Sequence, residues 1–348
     1  MLSYTIIYNP ASGHAKGPTA AEQLKAKLED RQRQVSMAPT KSADDARNFA
    51  YQAQSDIVVA VGGDGTINQV VAGLAPRKQP PTLAILPEGT VNNLAKVLHI
   101  PLLLPLAIKN ILEAKPQPLD IAQVNDRYMV STLTLGVLAN AALSVTQKEK
   151  RHFGPIIYLL KGFKVLAQHQ HWILHLNSAH NHWEKDTQFL LVSMTNSVGG
   201  FTNAVPDAAV DDGHLHVFIA PKLTWWRSLL AIPYFITGNF QKLPGMTYFA
   251  TEQLTIEAPK TLQSRVDGDP STKTPLKLTV IADHIQVLAH RWENNLEVPH
   301  MNDLLHLYRL LLSCAVSTAF DCRAAFFTSL NSPRIVRSNS LSKIPVLH

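Results

Sequence analysis

The stretch with the clearest chemical capacity is Gly62-Gly63-Asp64-Gly65-Thr66. Glycines let a backbone approach an anion closely and adopt positive φ. N–H groups at the start of a helix add donors and a partial positive charge. Together these describe a cradle for phosphate. Asp64 is the odd member, because a carboxylate repels phosphates. It fits if it holds Mg²⁺, directly or through water, or if it receives a proton. The alternative is an ordinary strand-to-helix turn with Asp64 as polar filler. A second corner of the same kind follows at Pro87-Glu88-Gly89-Thr90-Val91-Asn92-Asn93. There Asn92 and Asn93 stand at a helix start, as caps or as ligand contacts.

These corners need elements to hold them. Residues 57–61 are a short, continuous β-branched run, the pattern of a buried strand in a parallel sheet. Ile67, Val70, Val71 and Leu74 then fall on one helix face. Leu83-Ala84-Ile85-Leu86 is a further strand before the second corner. If the sheet is parallel, both Gly-Thr turns lie on one edge and can face one phosphate chain. Residues 4–8 form the first strand and run into Asn9-Pro10-Ala11-Ser12-Gly13, at a strand end where open α/β sheets bind ligands. Alone this is equally an ordinary loop; beside the 62–66 corner it reads as a second wall of one nucleotide site. Residues 18–30 read as an amphipathic helix. Residues 34–38 are a weak strand that ends before Thr40, which can touch ribose or phosphate or fill a loop. Ser42 is a helix N-cap, with Asp44 and Asp45 in the first turn.

The chain has 348 residues, 46% of them hydrophobic, enough for two domains with ample core. A net charge of +6 suits an anionic partner such as nucleotide phosphates or an acidic membrane surface. It is too dilute for nucleic acid, and no nucleic-acid-binding motif is present. Cys314 and Cys322 are the two cysteines, so no disulfide framework is expected and a reducing, cytoplasmic setting is. Residues 1–8 read as a strand rather than a signal peptide, and no apolar run reaches transmembrane length.

From about residue 125 the alternation has period two, at 128–132, 172–176, 189–194, 215–219, 254–257, 276–281 and 285–289, which predicts an antiparallel sandwich or barrel. Residues 221–238, with Trp225 and Trp226, are helical and apolar nearly all round. They read as a buried helix or as a greasy, membrane-facing lip. His169, His171, His175, His180 and His182 lack an organising acidic partner and read as solvated strand faces rather than a metal site. Residues 304–320 are apolar, and 330–348 are rich in Ser, Pro, Arg and Lys and expected to be disordered.

The first corner resembles the GGDGT signature shared by diacylglycerol kinases, sphingosine kinases and NAD kinases. Asn9-Pro10-Ala11-Ser12-Gly13 is similar to NPxSG, and the stretch from Pro87 to Ala95 to PxGTxNDxA. Pro206-Asp207-Ala208-Ala209-Val210-Asp211-Asp212-Gly213 is similar to PxAxxDDG, and Val266-Asp267-Gly268-Asp269 to VDGE. In this order they resemble the diacylglycerol kinase catalytic-domain family of YegS-like bacterial lipid kinases and sphingosine kinases. The downstream NAD kinase pattern is not seen.

The resemblance implies an α/β N-terminal domain like phosphofructokinase and NAD kinase, with a parallel sheet, in residues 1–125. It implies a C-terminal antiparallel β-sandwich for the lipid substrate in 126–297, and 298–348 are left as an extension. ATP would bind in the cleft between the domains. By similarity Asn9, Pro10, Ser12, Gly13, Thr40, Gly62, Gly63, Asp64, Gly65, Thr66, Asn68, Gln69, Gly89, Thr90 and Asn93 would bind ATP, with Asp120 organising the site. Asp212, with the main-chain oxygens of Ala209 and His214, would hold Mg²⁺. The implied catalytic acids are Asp269 as general base, Asp64 and Asp267. Two departures stand out. Asn93 replaces the family's Asp, and Asp269 replaces Glu, shortening its reach by about 1.5 Å. The expected activity is ATP- and Mg²⁺-dependent phosphorylation of a lipid hydroxyl, on diacylglycerol or a sphingoid base, by a cytoplasmic protein that visits the membrane surface. A homodimer is compatible with it. The alternatives are an NAD kinase-like kinase of a soluble alcohol and a nucleotide-binding homologue weakened at Asn93 and Asp269.

Overall fold

The computed structural model describes residues 1–10, 16–136, 171–179, 181–197, 208–221, 234 and 239–290. The elements run β1 (Ser3–Tyr8), α1 (Gly17–Glu29), β2 (Gln34–Pro39), α2 (Ala43–Gln52), β3 (Ile57–Gly62), α3 (Asp64–Leu74) and β4 (Thr82–Pro87). Then come α4 (Asn93–Val97), α5 (Leu104–Glu113), β5 (Lys115–Val124), β6 (Arg127–Met129), β7 (Thr132–Gly136), β8 (Trp172–Ser178), β9 (His182–Thr187), β10 (Phe189–Ser193) and β11 (Leu215–Ala220). The chain continues as β12 (Thr247–Thr251), β13 (Gln253–Glu257), β14 (Gln263–Val266), β15 (Asp269–Lys273) and β16 (Leu276–Ala289). Residues 1–295 form one compact unit.

The N-terminal part is an α/β domain built on parallel strands in the order β2-β1-β3-β4. Strand β3 is buried along its whole length, as a strand covered on both faces must be. Its residues alternate between two cores. Val59 and Val61 pack with Leu24 and Leu28 of α1 and Ile108 and Ile111 of α5. Val58 and Ala60 pack with Ile67, Val70 and Leu74 of α3. Helix α2 begins with a capping box, in which the Asp45 N–H donates to the Ser42 hydroxyl and the Ser42 N–H to the Asp45 carboxylate.

The C-terminal part is an antiparallel sandwich. A six-stranded sheet, β12-β11-β10-β7-β14-β15, faces the antiparallel end of the large sheet. Between them lie Leu133, Leu135, Leu190, Val192, Leu254, Ile256, Leu276 and Leu278. Residues 285–289, expected within the sandwich, do something different. Strand β16 passes a bulge at 281–285, then pairs in parallel with β4 at Val287–Leu83 and antiparallel with the first half of β5. Period-two alternation marks a half-buried strand but not the sheet it joins. The chain's last described strand therefore completes the N-terminal sheet.

Helix α5 and strands β9, β12, β14 and β15 were not expected; the strands are short or polar stretches with weak periodicity, whereas α5 carries a clear amphipathic pattern, with Ala107, Ile108 and Ile111 buried on one face, that makes it legible in the sequence. The histidines do have acidic partners, across the β8–β9 hairpin. His171 lies 2.7 Å from Asp186 and His175 3.7 Å from Glu184, while His182 bonds Asn177. Among the described residues, no three His, Cys, Asp or Glu side chains are grouped to hold a metal, and no helix is long and apolar enough to cross a membrane. His169, His180, Trp225, Trp226 and residues 304–348 lie outside the described residues.

Candidate active site

The corners sit where the sheet puts them. Strands β3 and β4 are parallel neighbours in register from Ile57–Thr82 to Gly62–Pro87, so both Gly-Thr turns leave the same edge side by side. They touch at glycine. A Cβ on Gly63 would lie 3.0 Å from the Gly89 Cα, and one on Gly89 2.4 Å from the Gly63 Cα. Only glycine permits that approach. Above Gly65 the space is open, with nothing within 4 Å of where a Cβ would stand. Helix α3 starts from Gly63 as N-cap, with no side chain capping it. A positive helix end beneath open space is an anion cradle, and its residues fit a nucleotide's phosphates.

Asp64 joins the corners. Its Oδ2 accepts from the Asn92 N–H at 2.9 Å and its Oδ1 from the Asn93 N–H at 2.6 Å. Asn92 is buried in the left-handed region at φ 54° and closes its own corner, its Oδ1 accepting from the Gly89 N–H and its Nδ2 donating to the Gly89 carbonyl, both at 2.9 Å. Asn tolerates this conformation better than most residues.

The remaining expected nucleotide residues divide by position. The Thr40 N–H donates to the Tyr8 carbonyl at 2.9 Å and the Asn9 N–H to the Val61 carbonyl at 3.4 Å, so both stand on the sheet edge that carries the corners. Pro10 is exposed beside them and Thr90 is exposed at the second corner. Thr66, Asn68 and Gln69 lie in the first turns of α3. Ser12 and Gly13 fall outside the described residues.

The sandwich supplies the facing wall. Asn68 donates from Nδ2 to the Asp267 carbonyl at 3.3 Å, which sets the β14–β15 turn against α3. The Ser197 hydroxyl lies 3.5 Å from Asn93 Oδ1. Asp269, on the far side of the turn, is exposed. Asp267 turns inward at φ 51°. Its carboxylate accepts from the N–H groups of Val130, Ser131 and Thr132 at 2.9, 2.8 and 2.9 Å. Burial pushes this carboxyl up to about 6, against the pull of those donors and aided by the Asp269 charge. Asp267 thus pins the 130–132 segment beneath the turn that displays Asp269.

Asp120, on β5, is buried away from the corners' own hydrogen bonds. Its Oδ2 accepts from the Gly213 N–H and its Oδ1 from the Asp283 N–H, each at 2.7 Å. Burial raises its carboxyl, those two amides lower it, and the Asp283 and Asp212 charges add to the rise. Asp212 accepts from the amides of Ala209 at 2.8 Å and His214 at 2.9 Å, with His216 Nε2 2.9 Å from its Oδ2. Burial works upward on Asp212, but His216 and the two amides outweigh it and hold its carboxyl below the usual range. A carboxylate offers about four lone pairs, so one remains here. The charges of Asp283 and Asp212 bear on Asp120, but among the described residues these acids are not grouped to hold a metal, and the oxygens of Asp120 and Asp212 already accept from the amides and from His216, so the arrangement does not by itself fit Mg²⁺. The amides of Ala209 and His214, rather than their carbonyls, face the Asp212 carboxylate.

Sequence reasoning missed Ser197 and the His216–Tyr248 pair that backs Asp212, with His216 Nδ1 2.8 Å from the Tyr248 hydroxyl. Ser197 has no local signal, since it meets Asn93 across 104 positions, whereas His216 stands four positions beyond Asp212 and could have been found beside it in the sequence.

A parallel α/β sheet with paired glycine corners, against which an acid-bearing turn of a β-sandwich is set, has the parts of a phosphotransferase. The family model described as Diacylglycerol kinase catalytic domain matches residues 3–124, and the YegS C-terminal NAD kinase beta sandwich-like domain matches 131–289. A Diacylglycerol kinase of Staphylococcus aureus (strain bovine RF122 / ET3-1) is 32% identical over 82% of this chain and 91% of its own. One from Staphylococcus epidermidis (strain ATCC 12228 / FDA PCI 1200) is 30% identical over 81% and 90%. The crystal structure of a diacylglycerol kinase from Bacillus anthracis str. Sterne is similar with TM-score 0.67, 19% identity, and coverage of 83% of this chain and 97% of that one. The chain belongs to the diacylglycerol kinase family. It is a lipid kinase, a phosphotransferase with an alcohol group as acceptor.

Proposed function

We propose that the protein transfers the γ-phosphoryl group of ATP to the hydroxyl of diacylglycerol. The observation that carries this reading is the Gly63–Gly89 contact, with the Asp267–Asp269 turn held on the same helix by Asn68. Asn9, Thr40, the 62–66 corner, Gly89 and Thr90 would bind the nucleotide, with α3 amides offsetting charge on the phosphates. The lipid hydroxyl attacks the γ-phosphorus, its proton passes to the Asp269 carboxylate, and the bond to the β-γ bridging oxygen breaks to release ADP. Asp64 holds the corners together and would assist the Mg²⁺ that accompanies the phosphates. Mg²⁺ would neutralise phosphate charge. The acceptor requires contact with a membrane surface.

The test is γ-labelled ATP with vesicles carrying diacylglycerol, a sphingoid base, or neither plus NAD, for wild type and Asp64→Ala. Label in diacylglycerol phosphate, lost in the variant, is expected. Equal label in both proteins, or label in NAD alone, would overturn the assignment. ATP binding without turnover, revived by Asn93→Asp with Asp269→Glu, would instead reveal a weakened enzyme.

A further inference from the structure

The leucines at the entrance to α5 serve neither the fold nor the phosphate corners. Leu102, Leu103 and Leu106 are 46%, 68% and 49% exposed, while Leu24, Leu28, Leu74, Leu83 and Leu86 of the same domain are fully buried. Leu102 and Leu103 line a groove of about 670 Å³ that runs to Gly89 and Thr90, with Lys16 on its wall. Exposed apolar clusters beside a site mark contact surfaces.

We propose that this leucine-bearing corner is the face that seats the protein on an anionic lipid bilayer. The inference rests on the lipid acceptor of the proposed function. An acyl-chain substrate stays in the bilayer, so the phosphate corner must be brought to the surface, and this apolar face opens beside that corner. Leucine side chains insert at the headgroup–acyl boundary, while Lys16 and the net charge of +6 complement anionic headgroups. Glu88 lies in the same groove, its carboxyl raised by burial and lowered by Lys16, so it opposes the seating less than a solvated acid would.

Vesicles of phosphatidylglycerol and phosphatidylcholine, without ATP, test it by co-sedimentation. The variant is Leu102→Ser/Leu103→Ser/Leu106→Ser. Position 103 is the N-cap of α5 with no side-chain cap bond, and serine is favoured there, so the fold should hold. Partitioning should fall about tenfold or more. The control, Leu2→Ser, changes a leucine 42% exposed at the start of β1 and should leave partitioning unchanged. Equal partitioning of triple variant and wild type would overturn the proposal. So would loss of a wild-type dimer with no change on vesicles, which would assign the face to a second copy. Should the triple variant unfold, Leu103→Cys in a Cys314→Ser/Cys322→Ser background carries a fluorophore. Its quenching by nitroxide lipid is expected, and no quenching would overturn the proposal. Because no ATP is present, vesicle binding stands or falls separately from the phosphoryl transfer assay.

Discussion

Two carboxylates of the β14–β15 turn should be separable by single substitutions. Asp269 is exposed, so Asp269→Asn should leave the melting temperature within a degree or so and lower kcat by about 10²–10⁴-fold. Asp267→Asn should act on stability, because an amide cannot accept from all three N–H groups and turns a donor toward one of them, at a cost of about 1–3 kcal/mol. The Asp267 carboxyl is raised from 3.8 to about 6 in the folded state, so the folded protein binds that proton more tightly than the unfolded chain. Stability from this group is fully present below the unfolded value and is lost as pH climbs through the folded one. Urea denaturation of wild type and Asp267→Asn in parallel from pH 4 to 7 should show the wild type losing ground relative to the variant. The motif resemblance grouped Asp267 with the catalytic acids; the structure adds three backbone bonds by which it holds the turn, which spacing alone does not disclose.

At the scale of elements, the decisive feature is the contact between the β3–α3 and β4–α4 corners. Gly89→Ala places a methyl group 2.4 Å from the Gly63 Cα and 2.5 Å from Asn92 Oδ1, so backbone must move. This should cost about 1–3 kcal/mol, and a displacement near 1 Å should slow transfer about 10²-fold. Gly65→Ala makes the contrasting case. The position is helical with open space around it, so alanine should raise stability by about 0.5–1 kcal/mol while its methyl enters the cradle and weakens ATP binding. Calorimetric titration with ATP and thermal melts of both variants check the pair. The β-branched run at 57–61 and the helix face of Ile67, Val70, Val71 and Leu74 announced these elements from sequence. The Asp64 bridge to the amides of Asn92 and Asn93 was not announced, because it joins residues 28 and 29 positions apart.

At the scale of the molecule, β16 ties the two parts. It pairs with β4 and β5 at one end and with β13 and β5 at the other. A fragment ending at residue 124 would lack the strand that covers the edge of β4, and an unpaired, buried-type strand exposes backbone donors and acceptors. Such a fragment should melt without a cooperative transition and self-associate. Residues 1–295, one compact unit, should melt in one step by circular dichroism.

The sequence by itself determined the α/β and sandwich classes and the phosphate corners, because short periodic patterns and glycine spacing are local properties. It also determined the family, through motifs read in order. Only the tertiary structure decided which amides Asp64, Asp120, Asp212 and Asp267 hold, that residues 285–289 return to the N-terminal sheet, and that Asn68 brings the acid turn onto α3. Those contacts join positions up to 199 residues apart, and a hydrogen bond between distant segments leaves no periodicity for a linear reading to find.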